Sequence, residues 1–209
     1  MSTTPIKILD RTTGQPIEAE LVDALAPEDL MVLEAVWTPE RARIILEIGR
    51  AGLLYAERPQ SLGWNWRAKS HHLRLTQASG YGVVCQDEWQ GAMLTKSGTH
   101  FSRLGSDRGK PLVYIDFLEV APWNWTIPGI GQFRRYGYIG PHLFERAVRQ
   151  SWEDGFEGRV GLHALPQSEP FYSGACRMAA LGAEEEEYGN LTYFELSREN
   201  AARILEGCR

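Results

Sequence analysis

A run of apolar and β-prone residues at positions 112–120 (LVYIDFLEV) constrains the fold of this chain more than any other feature. Such a run is typical of a central strand that is buried on both faces. An apolar helical stripe follows it and ends at Gly155; its members are Leu143, Phe144, Ala147, Val148, Ser151 and Trp152. Residues 160–165 then predict another strand. The order strand, helix, strand favours two neighbouring parallel strands.

The remaining patterns predict an α+β fold with an amino-terminal elaboration. The predicted strands are 6–9, 17–22, 82–85, 90–95, 112–120, 160–165 and 190–196, with another near 179–182. Predicted helices begin at Pro27, at Thr38-Pro39-Glu40 with an end at Gly49 or Gly52, near Gly140, within 166–178, and after a cap at Ser197. The segments 57–69 and 95–110 are predicted to be loops, and Gln86-Asp87-Glu88 a turn.

Composition excludes several classes of function. The formal net charge is -5, so no broad basic surface is expected to recruit nucleic acid or a membrane. Three cysteines argue against a disulfide framework, and the five histidines lack the spacing of a zinc site. The start MSTTPIKILD does not resemble a signal peptide, and no apolar stretch approaches the roughly 20 residues that cross a bilayer. The expected location is therefore the cytoplasm, and no metal is expected.

The segment Arg134-Arg135-Tyr136-Gly137-Tyr138-Ile139-Gly140, between the buried strand and the helix, suits anion binding. The first N–H groups of a helix have no internal partner, and the helix dipole adds partial positive charge there. Glycine lets the backbone approach a diphosphate closely, and two arginines could add charge-assisted contacts. A tight turn with solvated arginines is the alternative that the residues alone leave open.

This segment resembles the [Gln/Arg]-x-x-Gly-x-[Gly/Ala] signature of the GCN5-related N-acetyltransferases, or GNAT superfamily. One register, Arg135-x-x-Tyr138-x-Gly140, keeps the last glycine and the usual spacing to Ala147, and is preferred. The other, Arg134-x-x-Gly137-x-Ile139, keeps the first glycine. The stretches VYIDFLEVAPWN and GRVGLHALPQSEPFYSGACRMAALG are similar to the family's fourth and fifth strands and to a subset of bacterial acetyltransferase-like sequences.

The resemblance implies a GNAT-like, mostly antiparallel sheet that is splayed between its fourth and fifth strands, with helices on both faces. It covers about residues 82–196; residues 1–70 are expected to form an amino-terminal extension packed on the core, and residues 71–209 the acyltransferase domain. It also implies that acetyl-CoA is the acyl donor. Its pyrophosphate would then be bound by the segment that contains Arg134, Arg135, Gly137, Tyr138, Ile139 and Gly140. The main chain at Leu118 and Val120 would meet the thioester.

Acyl transfer to an amine needs a base for the amine and a proton for the departing thiolate. Asp116 and Glu119 are the candidate bases, and they lie on opposite faces of a regular strand. Burial would raise the pKa of either one, although an ion pair is the alternative role for both. Tyr172 falls where the family has the tyrosine that protonates the thiolate; packing is its alternative. For His163 and for the loop tryptophans a packing role is favoured.

Three hypotheses of function follow. The first is an N-acetyltransferase that joins an acetyl group directly to a small-molecule or peptide amine. The second is a non-catalytic module that binds coenzyme A or a partner, and it is motivated by the altered signature at Tyr138 or Ile139. The third is an unrelated α+β hydrolase or binding domain. The amino-terminal region is expected either to lie beside the acceptor cleft or to form a homodimer.

Overall fold

The computed structural model describes residues 2–53, 58–127, 130–132, 134–182 and 186–206. The strands are β1 (Ser2–Asp10), β2 (Pro16–Asp23), β3 (Ala78–Cys85), β4 (Glu88–Phe101), β5 (Pro111–Val120), β6 (Thr126–Ile127), β7 (Gly131–Gln132), β8 (Tyr136–Gly137), β9 (Val160–Ala164), β10 (Ala179–Ala180) and β11 (Thr192–Leu196). The α-helices are α1 (Pro27–Ala51), α2 (Trp66–Lys69), α3 (Ile139–Glu153) and α4 (Arg198–Glu206). Short 3₁₀ turns lie at Ser70–Arg74, Gly105–Asp107, Pro122–Asn124, Pro166–Ser168 and Glu186–Tyr188, and a π-helical turn lies at Phe171–Ala175.

Nine of these strands form one sheet in the order β10-β11-β9-β5-β4-β3-β2-β1-β8, and β6 pairs with β7 separately. Antiparallel pairing joins β10 to β11, β11 to β9, β3 to β2, β2 to β1, and β1 to β8. Strands β5 and β9 are parallel. The predicted fold, a mixed α/β chain around a mostly antiparallel sheet, is therefore confirmed.

The chain divides into two compact units. The first contains Met1–Leu75, Gly80–Ala92 and Leu118–Gly140, and one of its apolar clusters joins Ile44 and Ile48 of α1 to Trp125 and Ile127. The second contains Thr76–Ser79, Met93–Phe117 and Pro141–Arg209, and one of its clusters joins Leu112, Tyr114 and Tyr193. The expected boundary at residue 70 stays a prediction.

Several local predictions are confirmed. Strand β5 covers the predicted central strand and has β9 and β4 as its neighbours. Gln86 and Asp87 both have positive φ (52° and 61°), as the turn of a two-residue hairpin between β3 and β4 requires. Helix α3 buries its predicted stripe except for the half-exposed Trp152. The N–H of Asn200 donates to Ser197 Oγ over 3.3 Å, so Ser197 caps α4.

The predicted break at Thr38-Pro39-Glu40 is wrong. Helix α1 runs for 25 residues through Pro39 and ends at Gly52, whose φ is 65°. Proline removes one N–H and crowds the preceding turn, but buried side chains on both sides of it, Trp37 and Ile44, hold the helix together. Tertiary packing here outweighs the local cost, as is usual for amphipathic helices.

Two predicted loops are also partly wrong. Strand β4 continues to Phe101, because its polar end finds partners; the N–H of Ser97, for example, donates to Gln77 O over 2.9 Å. In the segment 57–69, α2 begins after Asn65, whose Oδ1 accepts from the N–H of Ala68 over 2.8 Å. Residue 57 lies outside the described residues. None of the helices within the described ranges has the length and hydropathy to cross a bilayer.

Candidate functional site

The loop before α3 is held by main-chain bonds on two sides. In β8, Tyr136 and Gly137 pair with Asp10 and Leu9 at the end of β1. The carbonyl of Arg135 accepts from the N–H of Arg11 over 2.8 Å. The N–H of Arg135 in turn donates to the carbonyl of Trp123 over 3.3 Å. The predicted phosphate-binding segment is therefore fixed by the amino-terminal strand and by the second Trp-Asn-Trp segment.

Side chains of the second Trp-Asn-Trp segment continue this support. Asn124 Oδ1 accepts from the N–H of Tyr136 over 2.9 Å, and its Nδ2 donates to Gln90 Oε1 over 3.2 Å. The indole N–H of Trp123 donates to the same Gln90 oxygen over 2.8 Å. Gln90 is fully buried, so its amide is a fixed point for both side chains.

The tryptophans of these segments bury themselves, as the packing interpretation favoured. Trp66, Trp123 and Trp125 are buried, while Trp64 is half-buried beneath the ammonium group of Lys69. Their indole N–H groups are part of the hydrogen bonding; that of Trp125, for example, donates to the carbonyl of Val120 over 3.1 Å. The guanidinium group of Arg135 lies 5.2 Å from the centre of the Trp123 ring, so an acceptor amine would compete with Arg135 for a cation–π contact there.

The residue that enters α3 has an uncommon backbone conformation. Tyr138 has a φ of 69°, and its side chain is 59% exposed, whereas Ile139 beside it is buried. A positive φ is the region that glycine occupies without cost and that a tyrosine enters rarely. Pro141 in the first turn carries no N–H, so the amides that α3 presents at this end are those of Ile139, Gly140 and His142.

A third arginine lies at this loop that the sequence did not indicate. A Cβ placed on Gly137 would come 2.9 Å from Arg11 Nε, so the guanidinium of Arg11 occupies the space beside that glycine. Arg11, Arg134 and Arg135 are all exposed. Only the pairing of β8 with β1 brings Arg11 here, and a two-residue strand gives no periodic signal in the sequence.

The parallel pairing of β5 and β9 is short. It joins Val113 to Val160 and Tyr114 to Gly161, and the N–H of Val113 donates to the carbonyl of Arg159 over 3.1 Å. Both strands then continue, β5 to Val120 and β9 to Ala164. Within the described parts of these strands no further register pair joins them. We call the segments Ile115 to Phe117 and Leu162 to Ala164, which follow the last pair, the slot strands.

Glu119, one of the two candidate bases, is buried in a charged network. Its Oε2 accepts from Arg41 Nη2 over 3.1 Å and from the indole N–H of Trp66 over 2.6 Å. Arg41 Nη1 also donates to Glu34 Oε1 over 2.8 Å, and Glu34 Oε2 accepts from the N–H of Trp66. Burial raises the pKa of Glu119, while Arg41, Trp66 and Ser61 offset part of that rise.

The other candidate base, Asp116, forms an ion pair. Its Oδ2 lies 2.8 Å from Lys96 Nζ, and both side chains are mostly buried, with 14% and 23% exposure. Lys96 belongs to the polar end of β4 that was predicted to be a loop. The ammonium group of Lys96 thus partly compensates the charge of this carboxylate.

Tyr172 lies in the π-helical turn and is buried among rings. Its ring centroid is 6.5 Å from that of Phe144 on α3, 6.2 Å from Phe194 on β11 and 5.1 Å from Phe171. Burial raises the pKa of the Tyr172 hydroxyl, so it stays protonated at neutral pH. The raised pKa also makes this phenol a weaker acid than an exposed tyrosine.

A cluster of tyrosines and histidines went unnoticed in the sequence. The rings of His100 and Tyr114 stack at 3.8 Å, and those of His163 and Tyr188 stack at 3.9 Å. Two hydrogen bonds cross-link the stacks: Tyr114 Oη with His163 Nδ1 at 2.8 Å, and Tyr188 Oη with His100 Nε2 at 2.9 Å. We call these four residues the Tyr–His cluster. Its members come from distant parts of the chain, so no local pattern could predict it.

Neither a protein-family model nor a curated protein matches this sequence. Solved structures do match it in fold. The GNAT domain of PAT from S. lividans has 13% identity and a TM-score of 0.54, with 93% of this chain and 96% of that chain covered. FeeM, an N-acyl amino acid synthase from uncultured soil microbes, has 13% identity and a TM-score of 0.50 over 96% and 95% of the two chains. A GNAT-family protein from Desulfovibrio desulfuricans has 11% identity and a TM-score of 0.51, with 86% of this chain and 99% of that chain covered.

Proposed function

We propose that this chain, which has the fold of the GCN5-related N-acetyltransferases, transfers an acetyl group from acetyl-CoA directly to a primary amine in a ternary complex. The observation that carries the proposal is the early end of the β5–β9 ladder at Tyr114 and Gly161. Two parallel strands that stop pairing while both continue present strand edges, and an extended amide-containing chain can bond to such an edge. The pantetheine arm of coenzyme A is a chain of that kind.

The diphosphate of the cofactor would bind at the start of α3. The backbone of Tyr138 supports the preferred register, because the position at which the signature has glycine is the one with a φ of 69°. A tyrosine there changes the side chain but keeps the glycine-like conformation. The amides of Ile139 and Gly140 would then meet the diphosphate, with Arg11, Arg134 and Arg135 supplying charge. Gly137 contributes to this site because its lack of a side chain leaves room for the guanidinium group of Arg11.

The reaction needs no covalent intermediate with the protein. The amine nitrogen attacks the thioester carbon, the main chain at Leu118 and Val120 stabilises the oxyanion, and the carbon–sulfur bond breaks. The departing thiolate takes a proton from Tyr172, whose raised pKa keeps the phenol protonated until then. Asp116 and Glu119 stay predictions for the base. The acceptor is the primary amine of a small molecule or a peptide.

A binding assay and a transfer assay together test this function. Acetyl-CoA should raise the melting temperature in a concentration-dependent manner, since a ligand that binds only the folded state stabilises it. Labelled acetyl-CoA incubated with a library of primary amines should give labelled amide. Stabilisation without transfer to any amine would favour the non-catalytic coenzyme A-binding module, and the absence of both effects would overturn the proposal.

A further inference from the structure

We propose that Tyr114 and His163 form the proton relay that deprotonates the acceptor amine, an inference that rests on the proposed function. Tyr114 Oη and His163 Nδ1 are 2.8 Å apart, which is the distance of a good hydrogen bond. The imidazole is the side chain whose ordinary pKa best matches proton transfer at neutral pH. The two residues therefore make a donor–acceptor pair of the kind that removes a proton through a hydroxyl group.

The position of the relay along the strands fits this role. Tyr114 belongs to the last register pair of β5 and β9, opposite Gly161. His163 lies two residues further along β9, on a slot strand. A thioester held between the slot strands would thus follow directly after the residues that carry the relay, in the direction in which both strands run. Ile115 on β5 and Leu162 on β9, which follow the last register pair, are next to the relay residues in the sequence.

The relay and Tyr172 lie on opposite faces of the sheet. Tyr193 and Phe194 are consecutive in β11, so their side chains point to opposite faces. The ring of His163 is 5.0 Å from that of Tyr193, whereas the ring of Tyr172 is 6.2 Å from that of Phe194. A proton acceptor and a proton donor therefore approach the slot strands from opposite sides. Acyl transfer needs this separation, because the amine enters on one side while the thiolate leaves.

The two carboxylates are less suited to the base role. Glu119 Oε2 is already bonded to Arg41 and Trp66, and Asp116 Oδ2 is paired with Lys96. A carboxylate oxygen that already accepts from a cationic donor is less available to take a proton from the amine. Tyr114 and His163, in contrast, are hydrogen-bonded to each other, a hydroxyl group to an imidazole nitrogen. Tyr114 is also buried, with only 3% exposure, which limits proton exchange with water at its hydroxyl group, whereas His163 is partly exposed.

Each proton and each bond of the transfer has a donor and an acceptor. The nitrogen of the amine bonds to the carbonyl carbon while one of its protons passes to Tyr114 Oη. The proton of that hydroxyl group moves to Nδ1 of His163, which becomes an imidazolium. The carbon–sulfur bond breaks, and the thiolate takes the proton of Tyr172. Solvent then takes the extra proton of the imidazolium and gives a proton to the Tyr172 phenolate, so the products are an amide and coenzyme A.

Two substitutions and one control test the relay. Tyr114→Phe keeps the ring and its stack on His100 but removes the hydroxyl group, and His163→Gln keeps a hydrogen-bonding side chain that cannot gain a proton. Tyr193→Phe is the control, since it removes another hydroxyl group from a ring that contacts His163 and leaves the Tyr114–His163 bond intact. For each variant, kcat, KM, the acetyl-CoA dissociation constant and the pH dependence of kcat/KM would be measured with the best amine.

The neutral imidazole is the active form, so kcat/KM of the wild type should rise with pH through the histidine range and then level. Tyr114→Phe should lower kcat by about 10²- to 10⁴-fold, with acetyl-CoA affinity unchanged. His163→Gln should lower kcat and remove the acidic limb of the profile. Tyr114, Tyr188 and Tyr193 contact the imidazole with their rings. His100 interacts electrostatically with His163 and also with Lys96, Asp116 and Arg103, so these groups could shift the acidic limb as well.

The result separates this inference from the proposed function. If the wild type transfers acetyl groups but Tyr114→Phe and His163→Gln keep its kcat and its acidic limb, the relay is wrong and the acyltransferase stands. If Tyr193→Phe loses as much activity as the relay variants, the effect belongs to packing and the relay is again wrong. If the wild type binds acetyl-CoA and transfers nothing, the proposed function fails and the relay fails with it.

Discussion

The indole N–H of Trp66 donates to Glu119 Oε2 over 2.6 Å, and the main-chain N–H of the same residue donates to Glu34 Oε2 over 2.8 Å. A single tryptophan thus binds two buried carboxylates, which also share Arg41. The first Trp-Asn-Trp segment is in this way attached both to α1 and to the end of β5. Arg41 alone would not satisfy either carboxylate, because each is buried and has two oxygens that accept hydrogen bonds.

Replacing Trp66 by phenylalanine should destabilise the protein by roughly 1–3 kcal/mol, the cost of leaving a buried charged acceptor without one donor. The free energy of unfolding would be measured by urea titration. Trp64→Phe is the matched control from the same segment, because Trp64 is only half-buried and its ring is covered by Lys69. Equal losses from the two substitutions would show that the bond to Glu119 is not the cause.

Glu119→Gln should change how stability depends on pH. Burial raises the pKa of Glu119 in the folded state, so the folded protein binds this proton more tightly than the unfolded chain does. The stability from this group is therefore fully present below the ordinary glutamate value of about 4.3 and is lost as the pH rises through the raised pKa. Relative to Glu119→Gln, the wild type should gain stability on acidification. A difference between the two that stays constant with pH would contradict this, and urea titrations at several pH values measure it.

Tyr138→Gly should stabilise the protein by about 1 kcal/mol, because the left-handed conformation costs a residue with a side chain roughly that much. Tyr138 is 59% exposed, so little burial is lost in exchange. The variant should also keep its affinity for acetyl-CoA if the signature register is correct. Tyr136→Gly, at a position in the same loop without positive φ, should destabilise instead. Thermal unfolding with and without acetyl-CoA gives both quantities, and destabilisation by Tyr138→Gly would count against the strained backbone.

Tyr172→Phe should lower kcat by about 10²-fold or more while leaving acetyl-CoA affinity and the melting temperature close to wild type. The substitution removes only the hydroxyl group and keeps the ring contacts with Phe144 and Phe194. Isotope release and ligand titration measure the two effects separately. Unchanged turnover would remove Tyr172 from the mechanism and leave it a packing role.

Asn124→Ala should weaken acetyl-CoA binding although no part of this side chain belongs to the signature. The substitution leaves the N–H of Tyr136 without its acceptor and Gln90 without one donor, so the loop before α3 loses a fixed point. We expect about a tenfold higher dissociation constant, which corresponds to one lost hydrogen bond of positioning. Asn65→Ala, which removes the equivalent asparagine of the first segment and the cap of α2, is the control and should change stability rather than affinity.

The sequence predicted those elements whose stabilisation is local. The apolar run of β5, the helical stripe of α3 and the two-residue turn at Gln86 and Asp87 each carry their own signal. It missed the polar end of β4 because that stretch is stabilised by partners from elsewhere in the chain. Lys96 pairs with Asp116 and His100 stacks on Tyr114, and neither contact leaves a periodic pattern.

The same distinction between local signals and long-range contacts applies to the candidate site. The loop at Arg135 to Gly140 could be singled out because glycine, arginine and a helix start lie together in sequence, and its binding role stays a prediction. Arg11 and the Tyr–His cluster were not, since pairing across the sheet alone brings these residues together. The carboxylates were singled out by residue type, and only the structure showed that both already have cationic partners.

The pairing of β8 with β1 has a consequence for how the protein can be handled. Trimming the first ten residues would remove Leu9 and Asp10, the ladder partners of Gly137 and Tyr136, and would leave Arg11 at a frayed end. Such a shortened chain would keep every residue of the glycine signature, but if the proposed function holds it should bind acetyl-CoA more weakly. Proteolytic cleavage within the first ten residues should therefore loosen the loop before α3, although that loop lies more than 100 residues away in the sequence.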